Sequence, residues 1–411
     1  MLKRDDAAGG TVAPVAAPSS ASDLVKVVQQ LWPEGLVDEP AAGQDTVAPV
    51  SYAFVPRRSS ARFLVPLSNH VSAGRTLRKY SASLTVNEIA QRTAMSVAFR
   101  LGGSMMLRDR VTVLGEHRSL RTYLSEWFGQ PVSFSISIGT VRLNRKAVLQ
   151  IFDSRGRTLA YAKVASTQRV IDDVQAEARA LRRIEGRLPR EIVAPRVLGT
   201  EVWEGSYVLL ISPLEISMWQ PLRGRWSPPV RQMQLLNEAF AEPDQLLGET
   251  AMWQRLQDAC AALVPGAVRD TIGHLLEEVA NRAEARPLRV GAWHGDWTSW
   301  NMARGRGRNV LLWDWERFET GVPAGMDHCH FLVNAAVRER RFSAKAIVAA
   351  LDGLQPAGQH STASDLVVSS YLARLALRYT EGAQGPGGHV ISGRAEILVR
   401  ALDAWLSRSR S

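Results

Sequence analysis

The chain has 411 residues, 45% of them apolar and 22% charged, enough for two or three domains with cores of their own. Its formal charge of +10 and pI near 10 come from arginines spread along the whole length. No aromatic-interleaved basic motif or helix-turn-helix signature accompanies them, so nucleic-acid binding is not expected. The two cysteines, Cys260 and Cys329, are far apart and outside any CxxC pattern, which excludes a disulfide framework and a structural zinc site.

In chain order, residues 1–49 read as a disordered leader and linker. They enclose a short helix from Leu24 to Trp32 that Ser22-Asp23 caps and Pro33 stops. The leader lacks the apolar core of a signal peptide and no run reaches the length of a membrane span, so the expected location is cytoplasmic. Residues 50–130 form an N-terminal accessory segment. It contains two strands around 52–56 and 61–67, then helices at 73–80, 86–100 and 119–128, and no catalytic constellation.

Three strands follow, Val132–Ile138, Ala147–Phe152 and Leu159–Val164, divided by turns at Gly139-Thr140 and around Gly156. Lys163 lies inside the third. An ammonium in an apolar strand is costly to bury unpaired, so it requires a carboxylate or an anion. The next helix, Val170–Arg187, carries Glu177 on the same stripe as Val174 and Leu181, and so offers such a carboxylate. Two more strands, 195–200 and 206–211, lead to a hinge near Glu215. From residue 216 the spacing is helical, over 230–240, 253–263, 268–283, 344–354, 364–379 and 391–406.

Within this helical half, residues 288–316 carry the chemistry. Two short apolar runs, Leu288–Trp293 and Asn309–Trp315, read as strands able to pair as a hairpin. Between and after them stand His294-Gly295-Asp296-Trp297-Thr298-Ser299-Trp300-Asn301 and Asp314-Trp315-Glu316. Phosphoryl transfer needs a carboxylate to orient the attacking hydroxyl and oxygen ligands to hold magnesium on the triphosphate, and this stretch supplies both. Trp313 and Trp315, alternating with Asp314, read as core. Trp297 and Trp300 lie in the loop, where one can stack on a sugar ring or a cationic head group. Asp327 reads as a helix cap or as a support of the loop, and His328-Cys329-His330 as helix-start packing.

The H-G-D-x-x-x-x-N and D-x-E residues resemble the aminoglycoside phosphotransferase and choline kinase-like family. The resemblance implies an α+β, bilobal protein-kinase-like fold, with an antiparallel small lobe at 131–215, a mainly helical large lobe at 216–411, and the earlier segment as an α/β extension. It further implies ATP and magnesium as cofactors and a small-molecule hydroxyl as acceptor. In this reading Asp296 is the base, Asn301 and Asp314 hold the metal, and His294 and Glu316 support them. Lys163 and Glu177 hold the nucleotide phosphates, and Gly139 and Thr140 form the loop above them. That loop departs from G-x-G-x-x-G, with Gly139 alone. Gly295 stands where protein kinases carry an arginine that receives an activation-loop phosphate, which favours a small acceptor over a protein. Base choice between ATP and GTP is not legible. The alternative is a nucleotide-binding pseudokinase or scaffold with a degenerate site.

Overall fold

A computed structural model describes residues 21–33, 36–37, 50–57, 61, 63–78, 85–103, 107, 109–114, 119–138, 146–216, 220, 227–283, 286–305, 307, 309–339, 342–354 and 362–408. The leader, Gly139 and Thr140 lie outside the described residues. Contacts divide the chain into two units: residues 1–78, 92–171 and 201–210 form one, and residues 79–91, 172–200 and 211–411 the other.

The first unit opens with α1 (Ala21–Leu31), β1 (Leu36–Val37), β2 (Val50–Val55), β3 (Phe63–Pro66), α2 (His70–Leu77) and the end of α3 (Val86–Arg100). β4 (Arg110–Leu114), α4 (Leu120–Trp127), β5 (Ser133–Ile138), β6 (Ala147–Phe152), β7 (Thr158–Ala165) and the start of α5 (Gln168–Ile184) follow. Local chemistry sets the helix starts: Asn69 and Ser119 accept the backbone N–H of Ser72 and Thr122 and so cap α2 and α4.

The later strands β8 (Ile192–Val193), β9 (Val197–Trp203) and β10 (Ser206–Ile211) come next. One nine-stranded sheet runs in the order β1-β4-β2-β3-β5-β6-β7-β10-β9. The strands of the accessory segment and of the expected small lobe therefore share a sheet, because β3 pairs with β5 through Phe63↔Ser137 and Leu64↔Ile136. A core on one face takes Trp32 from just after α1, Tyr52 from β2 and Phe134 from β5, with Leu149, Ala162, Val208 and Leu210. The Trp32 ring lies 5.5–5.6 Å from those of Phe134 and Tyr52. Burying aromatic residues of this size contributes on the order of 2–3 kcal/mol each.

In the second unit, α6 (Val230–Glu238), β11 (Glu242–Gln245), α7 (Ala251–Ala262) and α8 (Ala267–Ala283) precede β12 (Leu288–Trp293), β13 (Met302–Arg304), β14 (Val310–Leu312) and β15 (Glu319–Pro323). The chain ends in α9 (Met326–Glu339), α10 (Ala344–Asp352), α11 (Thr362–Gln384) and α12 (Ser392–Arg408). The expected helices are all present within a few residues, and the apolar faces of α7 to α12 join one core that includes Leu256, Leu276, Leu372, Leu402 and Trp405.

The hairpin expected from 288–293 and 309–315 does not form. β12 instead pairs with β11 and β15, while β14 pairs antiparallel with β13 and parallel with β8. The physical reason is proximity. Met302–Arg304 reaches β14 across a turn closed by Gly305 N–H to Asn309 O at 2.8 Å, and takes the edge that β12 would have used. Gln220 grips the same turn, accepting from Arg304 N–H at 2.6 Å and donating to its carbonyl.

Candidate active site

β12 delivers its last residue, Trp293, to the edge of the core and the chain then turns sharply. Gly295 makes that turn at φ +78°, and a Cβ there would lie 2.1 Å from the carbonyl oxygen of Arg317. Only glycine fits, both by conformation and by space. Gly295→Ala is therefore expected to lower stability by about 2 kcal/mol or more, read as a fall in the urea midpoint. Gly291, inside β12, is as tightly placed, since a Cβ there would lie 2.2 Å from Asn237 O, and Asn237 in turn donates to Ala292 O at 3.1 Å.

Asp327, buried near the start of α9, clamps the turn. Its two carboxylate oxygens accept the backbone N–H groups of His294 (2.8 Å) and Gly295 (3.1 Å). Burial pushes this carboxyl up to about 7, against the pull of those two donors. Of the two roles weighed from sequence, Asp327 thus supports the loop.

His294 is wholly enclosed between the rings of Trp315 (4.6 Å) and Trp297 (6.1 Å). Its Nδ1 accepts the N–H of Asp296 at 3.2 Å, so Nε2 carries the proton and donates to Trp313 O at 3.2 Å. Burial brings its pKa down to about 4. Because the unfolded chain takes up this proton near pH 6.5 and the folded one only near 4, His294 contributes stability above pH 6.5 that fades as pH falls towards 4. The contribution is about 3 kcal/mol across that window. His294→Gln is expected to flatten that part of the stability–pH curve, measured by urea unfolding at pH 7 and 4.5.

Asp296 itself is 28% exposed, with both carboxylate oxygens engaged. Asn301 Nδ2 donates to Oδ2 at 2.7 Å and to the Asp296 carbonyl at 3.0 Å, and His330 Nε2 stands 3.0 Å from Oδ1. Burial alone would raise its pKa, but the His330 contact and the Arg378 guanidinium outweigh it and hold the carboxyl below its ordinary value, while Asp314 pushes the other way. Arg378, on α11, donates to Gly295 O at 3.2 Å.

The next strand ends early. Trp313 N–H bonds Asn301 O at 3.0 Å, and Asp314 then adopts φ +69°, a left-handed conformation that aspartate tolerates better than most residues. The alternation expected across Trp313–Trp315 is broken by this turn. Trp315 is fully buried, its indole N–H on Leu312 O at 3.0 Å, whereas Trp313 is only half-buried. The same turn gathers three carboxylates, with oxygens of Asp314, Glu316 and Glu177 all within 4.8 Å of one another. Glu177 is fully buried in α5. Arg317 answers the acids, 3.7 Å from Glu316 and 3.4 Å from Asp173. Burial works against its charge, yet those two carboxylates hold its pKa above the usual guanidinium value.

These donors suit a hard divalent cation. They are carboxylates and an amide, and since Asn301 spends its nitrogen on Asp296, its carbonyl oxygen is the end left for a ligand. Of the other predicted residues, Lys163 is buried in β7, opposite Val148 on β6. It and Glu177 belong to different units, and each is placed within its own. Trp297 is fully buried with its N–H on Met302 Sδ at 3.3 Å, while Trp300 is half-buried with the Arg338 guanidinium 5.9 Å from its ring.

Sequence reasoning read His330 as helix-start packing and missed its contact with Asp296. The signal was its spacing: three residues after Asp327 it shares a helix face, so an aspartate that holds the loop brings the histidine to the loop as well.

No family model matches the sequence, and no curated protein does. Solved structures that it is similar to include aminoglycoside phosphotransferases. Aminoglycoside phosphotransferase APH(4)-Ia, in ternary complex with ADP and hygromycin B, superposes with a TM-score of 0.46 at 15% identity, over 69% of this chain and 98% of that one. Aminoglycoside 2'-phosphotransferase-IIIa in complex with GDP gives 0.43 at 11% identity, over 71% and 98%. LicA in complex with AMP gives 0.40 at 13%, over 71% and 100%. Among the described residues no helix is long and apolar enough to cross a membrane.

Proposed function

We propose that this protein is an ATP-dependent kinase of small molecules, transferring the γ-phosphoryl group to a hydroxyl. The observation that carries the reading is the setting of Asp296. It is an ionised, partly exposed carboxylate oriented through both oxygens, in the same unit as a convergent set of metal-suited oxygens. Asp296 accepts a hydrogen bond from the acceptor hydroxyl. As the new O–P bond forms and the bond from the β,γ-bridging oxygen to the γ-phosphorus breaks, Asp296 takes the hydroxyl proton and ADP leaves with the electron pair. Asn301 and Asp314, with Glu316 beside them, are the residues that would hold magnesium. When bound, the ion neutralises charge on the triphosphate. Arg317 and Arg378 keep positive charge near the acids, so that Asp296 stays ionised at neutral pH.

Lys163 is assigned to the nucleotide phosphates, with Glu177, Gly139 and Thr140 contributing to their site. His294 acts by holding the loop, since a histidine neutral down to about pH 4 does not shuttle protons at pH 7. The acceptor is a sugar, an aminosugar or an amino-alcohol. Trp300 is the aromatic residue offered to it, Trp297 being enclosed. A screen of such acceptors with γ-labelled ATP and magnesium, run beside Asp296→Ala, tests the proposal. Label transfer that depends on Asp296 supports it and identifies the acceptor. Nucleotide binding with no transfer to any acceptor favours a pseudokinase.

A further inference from the structure

Asp296 is held on one side by Asn301, its partner in the recognised spacing. The other side is built from residues outside that motif. His330, on α9, is 2% exposed and places Nε2 3.0 Å from Asp296 Oδ1. Tyr371, on α11 and fully buried, places its hydroxyl 3.3 Å from His330 Nδ1. The imidazole is fixed in plane as well, with Trp293 at 6.4 Å and 82° on one side and Tyr371 at 6.0 Å and 78° on another. Asn334, a turn further along α9, donates to His330 O at 2.9 Å.

The proton positions follow from this geometry. A phenol so deeply buried keeps its proton, its pKa being pushed well above the ordinary value by burial. Tyr371 therefore donates to Nδ1, Nδ1 accepts, and the ring proton resides on Nε2, where it points at Asp296. A hydrogen bond to a carboxylate is about twice as strong as a neutral one.

We propose that His330, set in its tautomer by Tyr371, is a positioning residue for Asp296. It stops the carboxylate from turning about its Cβ–Cγ bond, so that the lone pairs left by Asn301 and His330 face the reacting hydroxyl. The role rests on the reading of Asp296 as the base. It adds a second brace to the one the motif provides, and it explains why a histidine and a tyrosine 41 residues apart are buried against each other beside a charged group. A loose carboxylate loses rate through misalignment while nucleotide binding is untouched.

The test uses the full chain and the slow hydrolysis of Mg–ATP, with water as the acceptor, so that no unidentified substrate is needed. His330→Ala is expected to lower kcat about 10- to 100-fold at unchanged KM for ATP, and His330→Gln, whose amide N–H reaches a similar place, to recover part of that loss. In ¹⁵N-labelled protein His330 should show a slowly exchanging Nε2–H resonance that shifts in Asp296→Asn. In Tyr371→Phe a second, Nδ1–H tautomer should appear. Hydrolysis that Asp296→Asn removes and His330→Ala leaves at the wild-type rate overturns the positioning role alone. Hydrolysis indifferent to Asp296 overturns the reading of the base, and the role of His330 with it. An Nδ1–H tautomer in the unaltered protein also overturns the proposal.

Discussion

Asp296→Asn should lower phosphotransfer about a thousandfold while nucleotide affinity stays within a few-fold of the original. The substitution keeps the volume and removes the negative charge and the proton-accepting oxygen. In the proposed site Asp296 has no contact with the nucleotide, whose phosphates are assigned to Lys163 and to the metal that Asn301 and Asp314 would hold. The expected pattern is therefore a fall in kcat at an almost constant dissociation constant, read by label transfer and by titration calorimetry with Mg–ATP. The new amide must present its nitrogen to either His330 or Asn301, both donors, so a modest loss of stability should accompany the loss of rate. Turnover near the original level would end the case for Asp296 as the base.

Asp314→Gly separates function from fold at the second position. The residue adopts φ +69°, a conformation that costs a non-glycine side chain about 1 kcal/mol and costs glycine little. Glycine thus removes the carboxylate while easing the backbone. Turnover should fall about a hundredfold or more, and the gain in ATP affinity on adding magnesium should disappear, while the urea midpoint holds or rises. A residue there for structure alone would behave in the opposite way, losing stability and sparing the magnesium response. Asp314→Ala provides the control: it lacks the carboxylate and keeps the strain, so it should match the glycine variant in rate and fall below it in stability.

The proposed catalytic residues stand out in the sequence because phosphoryl transfer constrains residue type and spacing together: a base, an amide five positions on and a carboxylate after the next strand. The long helices were legible because each carries an apolar stripe. What could not be read depends on neighbours remote in sequence. β11 spans Glu-Pro-Asp-Gln and β15 spans Glu-Thr-Gly-Val-Pro, and neither has the alternation that announces a strand. They are strands because β12 lies between them. The same holds for Trp297, a loop residue by sequence that the fold encloses against Met302, and for Glu177, which the helix stripe marked as inward-facing without naming Asp314 and Glu316 as its neighbours. His330 is the instructive case, since its partner Tyr371 arrives from a helix that begins more than thirty residues later.

The pairing of β3 with β5 bears on how the protein can be handled. Cutting the chain at residue 131, as trimming to the motif-bearing residues 131–411 would suggest, leaves the Phe63 and Leu64 side of β5 without its neighbour and strips Trp32 and Tyr52 from Phe134. A bare strand edge beside exposed aromatic rings is a template for self-association. The shortened product should therefore collect in inclusion bodies, and soluble preparations should keep the polypeptide from at least α1 onward.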